Sequence, residues 1–189
     1  MKRKALKKKA AGGHVNRNAQ FERIAELRAL YTAAGNPVVS VDGKKKEQIG
    51  HLFHDGKVYA TETVEVFDHD FPSLAEGVAV PHTLYDIERN EAYVNMGTSR
   101  DTSEFSCDSI RHWWYTYGIL YYPLATSILM LMDGGGSNSS RHYIFKQDLQ
   151  AVVEEIGIEI RIAHYPPYTS CGIPLSIGYS LILLANYPA

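Results

Sequence analysis

Two stretches decide how this chain folds: Pro37-Val38-Val39-Ser40-Val41-Asp42 and Ile128-Leu129-Met130-Leu131-Met132-Asp133. Each is a short, β-prone apolar run that ends on an aspartate. The first is followed by Gly43-Lys44-Lys45-Lys46-Glu47 and the second by Gly134-Gly135-Gly136-Ser137-Asn138. The second run has no polar alternation, as expected of a central strand covered on both faces. A buried strand that delivers a carboxylate at its C-terminal end is a common way for an α/β fold to present a metal ligand. Two such strands side by side would offer both carboxylates to one cation. That begins a two-metal phosphoryl-transfer site, which needs a third acid.

The segments around these strands give an element order. Phe21, Ile24, Leu27, Leu30 and Tyr31 recur at helical spacing, and Gly35-Asn36-Pro37 stops a helix over 19–33. Residues 43–79 are polar and read as an insertion with little regular structure. Thr83–Ile87 and Glu91–Met96 flank a polar turn and predict a hairpin. Asp101 with Glu104 marks a helix start, and Ile110, Trp113, Trp114 and Tyr117 give that helix its apolar face. Pro123 breaks the chain before the second aspartate strand. Phe145, Leu149, Val152, Val153 and Ile156 form one helical stripe. Ile158, Ile160 and Ile162 alternate with Glu159 and Arg161, as in a half-buried strand. The order is strand, insertion, hairpin, helix, strand, helix, strand. It predicts a ribonuclease H-like α/β fold, a mixed five-stranded sheet with flanking helices. In that arrangement Asp42 and Asp133 meet.

Bulk properties narrow the class. The 189 residues are enough for one domain with a real core, and 45% hydrophobic with 21% charged residues fits a globular protein. The net charge of -2 conceals an asymmetry. Lys2, Arg3, Lys4, Lys7, Lys8, Lys9 and Arg17 precede any acid, leaving 12 basic against 21 acidic residues. A polyanion-contacting arm and a solvated terminus both fit that charge. Cys107 and Cys171 have no metal-type spacing, which favours a reducing compartment, and no signal peptide is legible. The expectation is therefore a cytoplasmic protein. The apolar run Ile173–Ala185 has 13 residues and contains Pro174 and Gly178. A bilayer span needs about 20, so no membrane partner is expected.

Other motifs have ordinary readings beside functional ones. The glycines after Asp133 lack the lysine of a phosphate-binding loop. His51, His54 and Asp68-His69-Asp70 lack the second pair that a tetrahedral zinc site needs. Trp113 and Trp114 fit a buried helix face better than a base-stacking platform. Lys44, Lys45 and Lys46 read either as a solvated charge run or as phosphate contacts, and their place after Asp42 favours the second.

A linked set of pieces carries more than a fold. Asn18-Ala19-Gln20-Phe21, Val39-Ser40-Val41-Asp42 with Lys44-Lys45-Lys46-Glu47, and Asp68-His69-Asp70-Phe71-Pro72 come first. Asp133-Gly134-Gly135-Gly136-Ser137-Asn138 and His164-Tyr165-Pro166-Pro167 come next in the same order. Together they resemble the DDE transposases of the ISAzo-type insertion sequences, the Rhodopirellula transposase family, from about Arg17 to Ser170. The resemblance implies a catalytic core that cuts and joins DNA with Mg²⁺ or Mn²⁺. Its partners would be the element's ends, target DNA and other transposase subunits. Asp42 and Asp133 match the first two acids of the family triad, as catalytic and metal-binding residues. Gly43 stands where the family has threonine. The longer N-terminal DNA-binding region of the family is not in this sequence.

The larger departure is at the other end. The family continues with a Trp-Asn-x-Ile-Glu-His-Arg motif that supplies the third acid. This chain reads Cys171-Gly172-Ile173-Pro174-Leu175-Ser176-Ile177-Gly178-Tyr179, with no acid after Glu159. Synonymous codons for Cys171–Leu184 exist that, read from their third base, spell Trp-Asn-Pro-Ile-Glu-His-Arg. The lost glutamate then straddles the Leu175 and Ser176 codons. The expected organisation is a basic arm and helix over 1–35, a partial DDE core over 36–170 with its insertion at 43–79, and an out-of-frame tail over 171–189. The last catalytic helix is missing. The expected function is a transposase fragment inactive as it stands. The alternatives are a DNA- or transposase-binding remnant that does not cut, and a ribonuclease H-like nuclease that recruits Glu104 or Asp148.

Overall fold

The computed structural model describes residues 16–43, 46–50, 75–98, 102–132 and 143–166, with isolated positions between 59 and 73. The expectations for Lys44, Lys45, His51, His54, Asp68-His69-Asp70, Asp101, Asp133 and residues 171–189 fall outside these.

Helix α1 (Arg17–Ala33) buries Ile24, Leu27 and Tyr31, one stripe at helical spacing. It ends where Gly35 takes φ +69°, a left-handed conformation that costs glycine little. Asn36 N–H then donates to the Tyr31 carbonyl at 2.9 Å, and Pro37 comes next. The chain turns directly into strand β1 (Val38–Gly43). Strand β3 (Gly77–Asp86) and strand β4 (Glu91–Gly97) form the expected hairpin. Asn90 closes its turn at φ +56°. β3 begins at Gly77, well before the expected Thr83. A short strand β2 (Glu47–Ile49) pairs antiparallel with Gly77–Ala79. Part of the segment expected to lack regular structure is therefore paired, and the sheet has six strands.

Strands β4, β3 and β1 are antiparallel neighbours; β1, β5 (Ser127–Met132) and β6 (Glu159–His164) are parallel neighbours. This is the mixed sheet that the element order predicts. β2 lies along the same edge of β3 as β1. The pairing runs Gly43 to His82 and then Glu47 to Ala79, so three residues on one side span two on the other.

The two faces carry separate cores. Alternation sends Val39, Val41, Leu84, Ile128, Met130 and Met132 to one face. There they meet α2 (Ser103–Trp113) and α4 (Tyr143–Ile156) through Cys107, Ile110, Trp113, Trp114, Phe145 and Val152. Val38, Leu129 and Leu131 face the other way, onto Ile24, Leu27 and Tyr31 of α1 and onto Tyr165. β5 is buried at all six positions, which is why it shows no alternation.

Thr102 caps α2, its Oγ1 accepting from Phe105 N–H at 3.2 Å. The helix loosens into a π-helical stretch, Trp114–Gly118, and closes with α3 (Ile119–Tyr121) before Pro123. Trp113 and Trp114 are buried, as their spacing predicts, whereas Tyr117 is 37% exposed. A wider turn rotates the later side chains off the original stripe.

Candidate functional site

The C-terminal ends of the central parallel strands define the candidate site. Val41 stands opposite Met132 in parallel register, and Met132 opposite His164. Tyr165 N–H donates to the Met132 carbonyl at 2.9 Å, drawing the chain after β6 across the end of β5. Asp42, Met132, His164 and Tyr165 thus lie along one edge of the sheet. Asp42 is partly buried and stands opposite Thr83 of β3, itself 1% exposed. Period-two alternation gives it the face of Val38, the side that α1 covers.

The direction of α1 matters here. Tyr31 near its C-terminus shares a 2.8 Å hydrogen bond with Ser127, the first residue of β5. Phe21 near its N-terminus packs on Tyr165, with ring centroids 6.4 Å apart. The helix N-terminus, with Arg17 and Asn18, therefore comes to the Asp42 end. The Tyr165 phenol is pushed up mainly by burial, with the Arg28 cation acting against it.

The described residues include only part of the expected site. Asp42 is present; Asp133 comes directly after Met132. Of the three lysines, only Lys46 is described, and it is exposed three residues before Ile49. Among the described residues, no group of three or more His, Cys, Asp or Glu side chains could hold a metal ion. The acids considered as substitutes for a third ligand are placed elsewhere. Glu104 and Asp148 sit on α2 and α4, which cover the opposite face, and Asp148 accepts from Ser103 Oγ at 2.6 Å. Glu159 begins β6, at the far end of the sheet, where it pairs with Arg161 at 3.1 Å. No described helix is long and apolar enough to cross a membrane.

The far end of the sheet holds a second polar centre that the residue pattern alone does not single out. Asp86 closes β3 and is 3% exposed. Tyr122 Oη donates to its two carboxylate oxygens at 3.0 and 2.8 Å, and Glu88 and Arg89 N–H donate to Oδ1 at 3.2 Å each. Burial raises its pKa, with these donors opposing that shift. The same environment pushes the Tyr122 phenol up, first by burial and then by the carboxylate it bonds. Beside it an open hollow of about 430 Å³ is lined by Glu91, Ala92, Tyr93, Trp113, Tyr117 and Tyr121. The sequence signal was the tyrosine density of 115–122, masked by its overlap with a helical core stripe.

The comparisons with known proteins agree with the fold. A pre-cleavage Mos1 transpososome superposes with TM-score 0.53 at 12% identity, covering 96% of this chain and 53% of the solved chain. A Mos1 transposase paired-end complex with left transposon end gives 0.50 at 10% identity, covering 90% and 48%. The chain spans about half the length of these solved chains, and the likeness is one of fold. None of the curated proteins matches the chain. The family described as the Rhodopirellula transposase DDE domain matches residues 1–171. Its coverage of most of the sequence, together with the ribonuclease H-like sheet, establishes that the chain belongs to that transposase family.

Proposed function

We propose that this chain is the catalytic-domain portion of a DDE transposase whose third acid has been lost, so that it holds DNA without cutting it. The observation that carries the reading is the parallel pairing of Val41 with Met132, each followed in sequence by an aspartate. Continuing the register would put Asp42 and Asp133 side by side. Continuing the alternation would turn both toward the face shared by Val38, Leu129 and Leu131.

Two carboxylates at the end of a rigid pair of strands suit a hard divalent cation such as Mg²⁺ or Mn²⁺, which prefers oxygen ligands. When bound, such ions supply charge stabilisation to the phosphate that is cut and joined. The protein's own contribution would be position: two paired, buried strands would set the spacing of the two acids. Lys44, Lys45 and Lys46 come shortly after Asp42 and would hold the DNA backbone near the cut. The element's ends, target DNA and a second transposase subunit are the proposed partners.

Inactivity rests on the residues after Ser170. The family match stops at residue 171, where the Trp-Asn-x-Ile-Glu-His-Arg motif gives way to Cys171-Gly172-Ile173. A frame change near the Ser170 codon accounts for that change. Without a third carboxylate the second ion is poorly fixed, and positioning is most of the catalysis in phosphoryl transfer.

The test is incubation with the element's end DNA and Mn²⁺, using the chain as it stands and a version with the frame restored by one nucleotide near the Ser170 codon. The expected result is no specific nicking by the first and Asp42-dependent nicking by the second. Specific nicking by the present chain that vanishes in Asp42→Ala would refute the inactivity. A restored chain that neither nicks nor binds Mn²⁺ more tightly would refute the metal site.

A further inference from the structure

The hollow beside Asp86 is an aromatic cage with an excess of negative charge, and its construction is unrelated to the Asp42 edge. Tyr117 and Tyr121 stack with 9° between their planes and 6.3 Å between centroids. Tyr93 meets Tyr117 edge-on at 5.7 Å. The π-helical stretch brings these rings together, and Gly118 permits it: a Cβ there would lie 2.2 Å from Trp114 Cε3. The cage already accepts a cation. Arg89 Cζ lies 3.4 Å from the centre of the Tyr121 ring, while its Nε and Nη2 donate to Glu91 at 3.1 and 3.2 Å.

Asp86 and Glu91 set two carboxylates against this one guanidinium. Tyrosine faces beside surplus carboxylates favour ammonium or guanidinium ligands. The same charge repels phosphate, so stacked bases of a nucleic acid strand are disfavoured despite the exposed rings. The helical segment that forms the cage and the turn after it expose Leu120 and Leu124, at 69% and 91%.

We propose that this cage receives the lysine-rich segment Lys2–Lys9 of a second copy of the chain. Its sequence, Lys2-Arg3-Lys4-Ala5-Leu6-Lys7-Lys8-Lys9, matches the surface in charge and places an apolar pair between two cationic clusters. The rest of the chain beyond Arg17 carries 12 basic against 21 acidic residues, so the attraction extends past the cage. Reach argues for a second copy. The arm enters at Asn16, at the Asp42 end and on the α1 face; the cage lies at the other end, on the opposite face. α1 alone is about 25 Å long, and the chain must also pass around the sheet. Lys9 lies seven residues from Asn16 and Lys7 nine, spans of at most about 25 and 32 Å, so the Lys7–Lys9 cluster falls short of a path that runs the length of α1 and then around the sheet. The proposal does not draw on the metal site.

The experiment adds a fluorescein-labelled peptide of residues 2–11 to the full chain and reads anisotropy at two salt concentrations. Tyr121→Ala and Glu91→Gln are each expected to weaken binding about 5-fold. Arg89→Ala is the sharper variant. It removes the resident cation and leaves Glu91 open, so the peptide should bind roughly 3-fold more tightly; a residue that merely supports the fold would give weaker binding or none. Equal binding to all four proteins, weaker binding to Arg89→Ala, or displacement of the peptide by a short single-stranded oligonucleotide at this site would overturn the proposal. In sedimentation, charge reversal at Lys7, Lys8 and Lys9 should shift the chain toward monomer. A chain that is monomeric at every concentration before that change would overturn the second-copy assignment.

Discussion

Each end of the sheet carries an aspartate that terminates a strand, and the two ends are built differently. Asp86 closes β3 where Tyr122 Oη and two backbone N–H groups converge on its carboxylate, and 97% of its surface is covered. Asp42 sits near the end of β1, partly buried, and is followed in sequence by Gly43 and the lysine run. A carboxylate saturated by the turn it closes is a structural element, because its lone pairs are already committed. A carboxylate carried, only partly buried, to the C-terminal end of a central strand is in a position to meet a cation. The difference lies in the residues after each strand. After Asp86 come the tight turn residues Ile87-Glu88-Arg89-Asn90, of which Glu88 and Arg89 turn their N–H groups back to it; after Asp42 come Gly43 and three lysines.

Three substitutions at the Asp86 end test whether it is structural. The largest effect is expected from Gly118→Ala. The added Cβ would meet the ring of buried Trp114 at 2.2 Å, so the indole or the π-helical stretch must move. Overpacking of this kind costs about 3 kcal/mol, measurable as a lower denaturant midpoint with unchanged slope. Next comes Asp86→Ala. It leaves the Tyr122 hydroxyl and the Glu88 and Arg89 N–H groups without their acceptor, at a cost of about 2 kcal/mol. A loss under about 0.5 kcal/mol would put Asp86 in the same class as Asp42 and dissolve the contrast.

Much of this was legible in the residues, and the remainder was hidden for definite causes. The unbroken apolar run Ile128–Met132 announced a central strand because burial on both faces removes alternation. The stripe of Ile24, Leu27 and Tyr31 announced α1 for the complementary reason. β2 was hidden because Glu47-Gln48-Ile49 is too short and polar to show a pattern; its partner Gly77–Ala79, a continuation of β3, selects it. Tyr117 was assigned to the buried face because ideal helical spacing puts it there, and the π-helical stretch is a tertiary effect that no local period records. Asp42 was legible as a site through its strand and the motif around it. The cage was not, since Asp86, Tyr93 and Tyr121 come from three elements that only the folded sheet assembles.

The third substitution, Asp86→Asn, has a smaller effect with a defined pH signature. Burial raises the native pKa of Asp86, so the folded chain binds this proton more tightly than the unfolded chain does. Stability from this group is then fully present below the ordinary carboxylate range and is lost as pH rises through the raised native value. Asparagine keeps an oxygen acceptor for Tyr122 but does not titrate. Stability of Asp86→Asn relative to the parent should therefore rise between about pH 3 and 6, by less than about 1 kcal/mol. A difference that falls over that interval would reverse the sign assigned to this carboxylate.

The smallest stability change is expected at Asp42, and there the comparison is most exposed to failure. Asp42→Ala removes a partly buried carboxylate near the end of β1 and leaves Val38, Val39 and Val41 packed as before. The cost should stay below that of Asp86→Ala, because Asp42 is only partly buried whereas Asp86 is 3% exposed. The effect should emerge instead in the response to a cation. If Asp42 and Asp133 hold Mn²⁺ with a Kd near 1 mM, then 10 mM Mn²⁺ stabilises the folded chain by about 1.4 kcal/mol, because an ion that binds only the native state adds RT ln(1 + [L]/Kd). That increment should vanish in Asp42→Ala and persist in Asp86→Ala, whatever the latter has lost in absolute stability. The reverse pattern would place the cation at the saturated aspartate and remove the basis for the site. If the increment survived in both variants, Mn²⁺ would be bound elsewhere on this acidic body. If Asp42→Ala instead cost about 2 kcal/mol or more, as expected for loss of a buried, bonded group, both aspartates would be turn-closing residues, and the Asp42 end of the sheet would have no chemistry to explain.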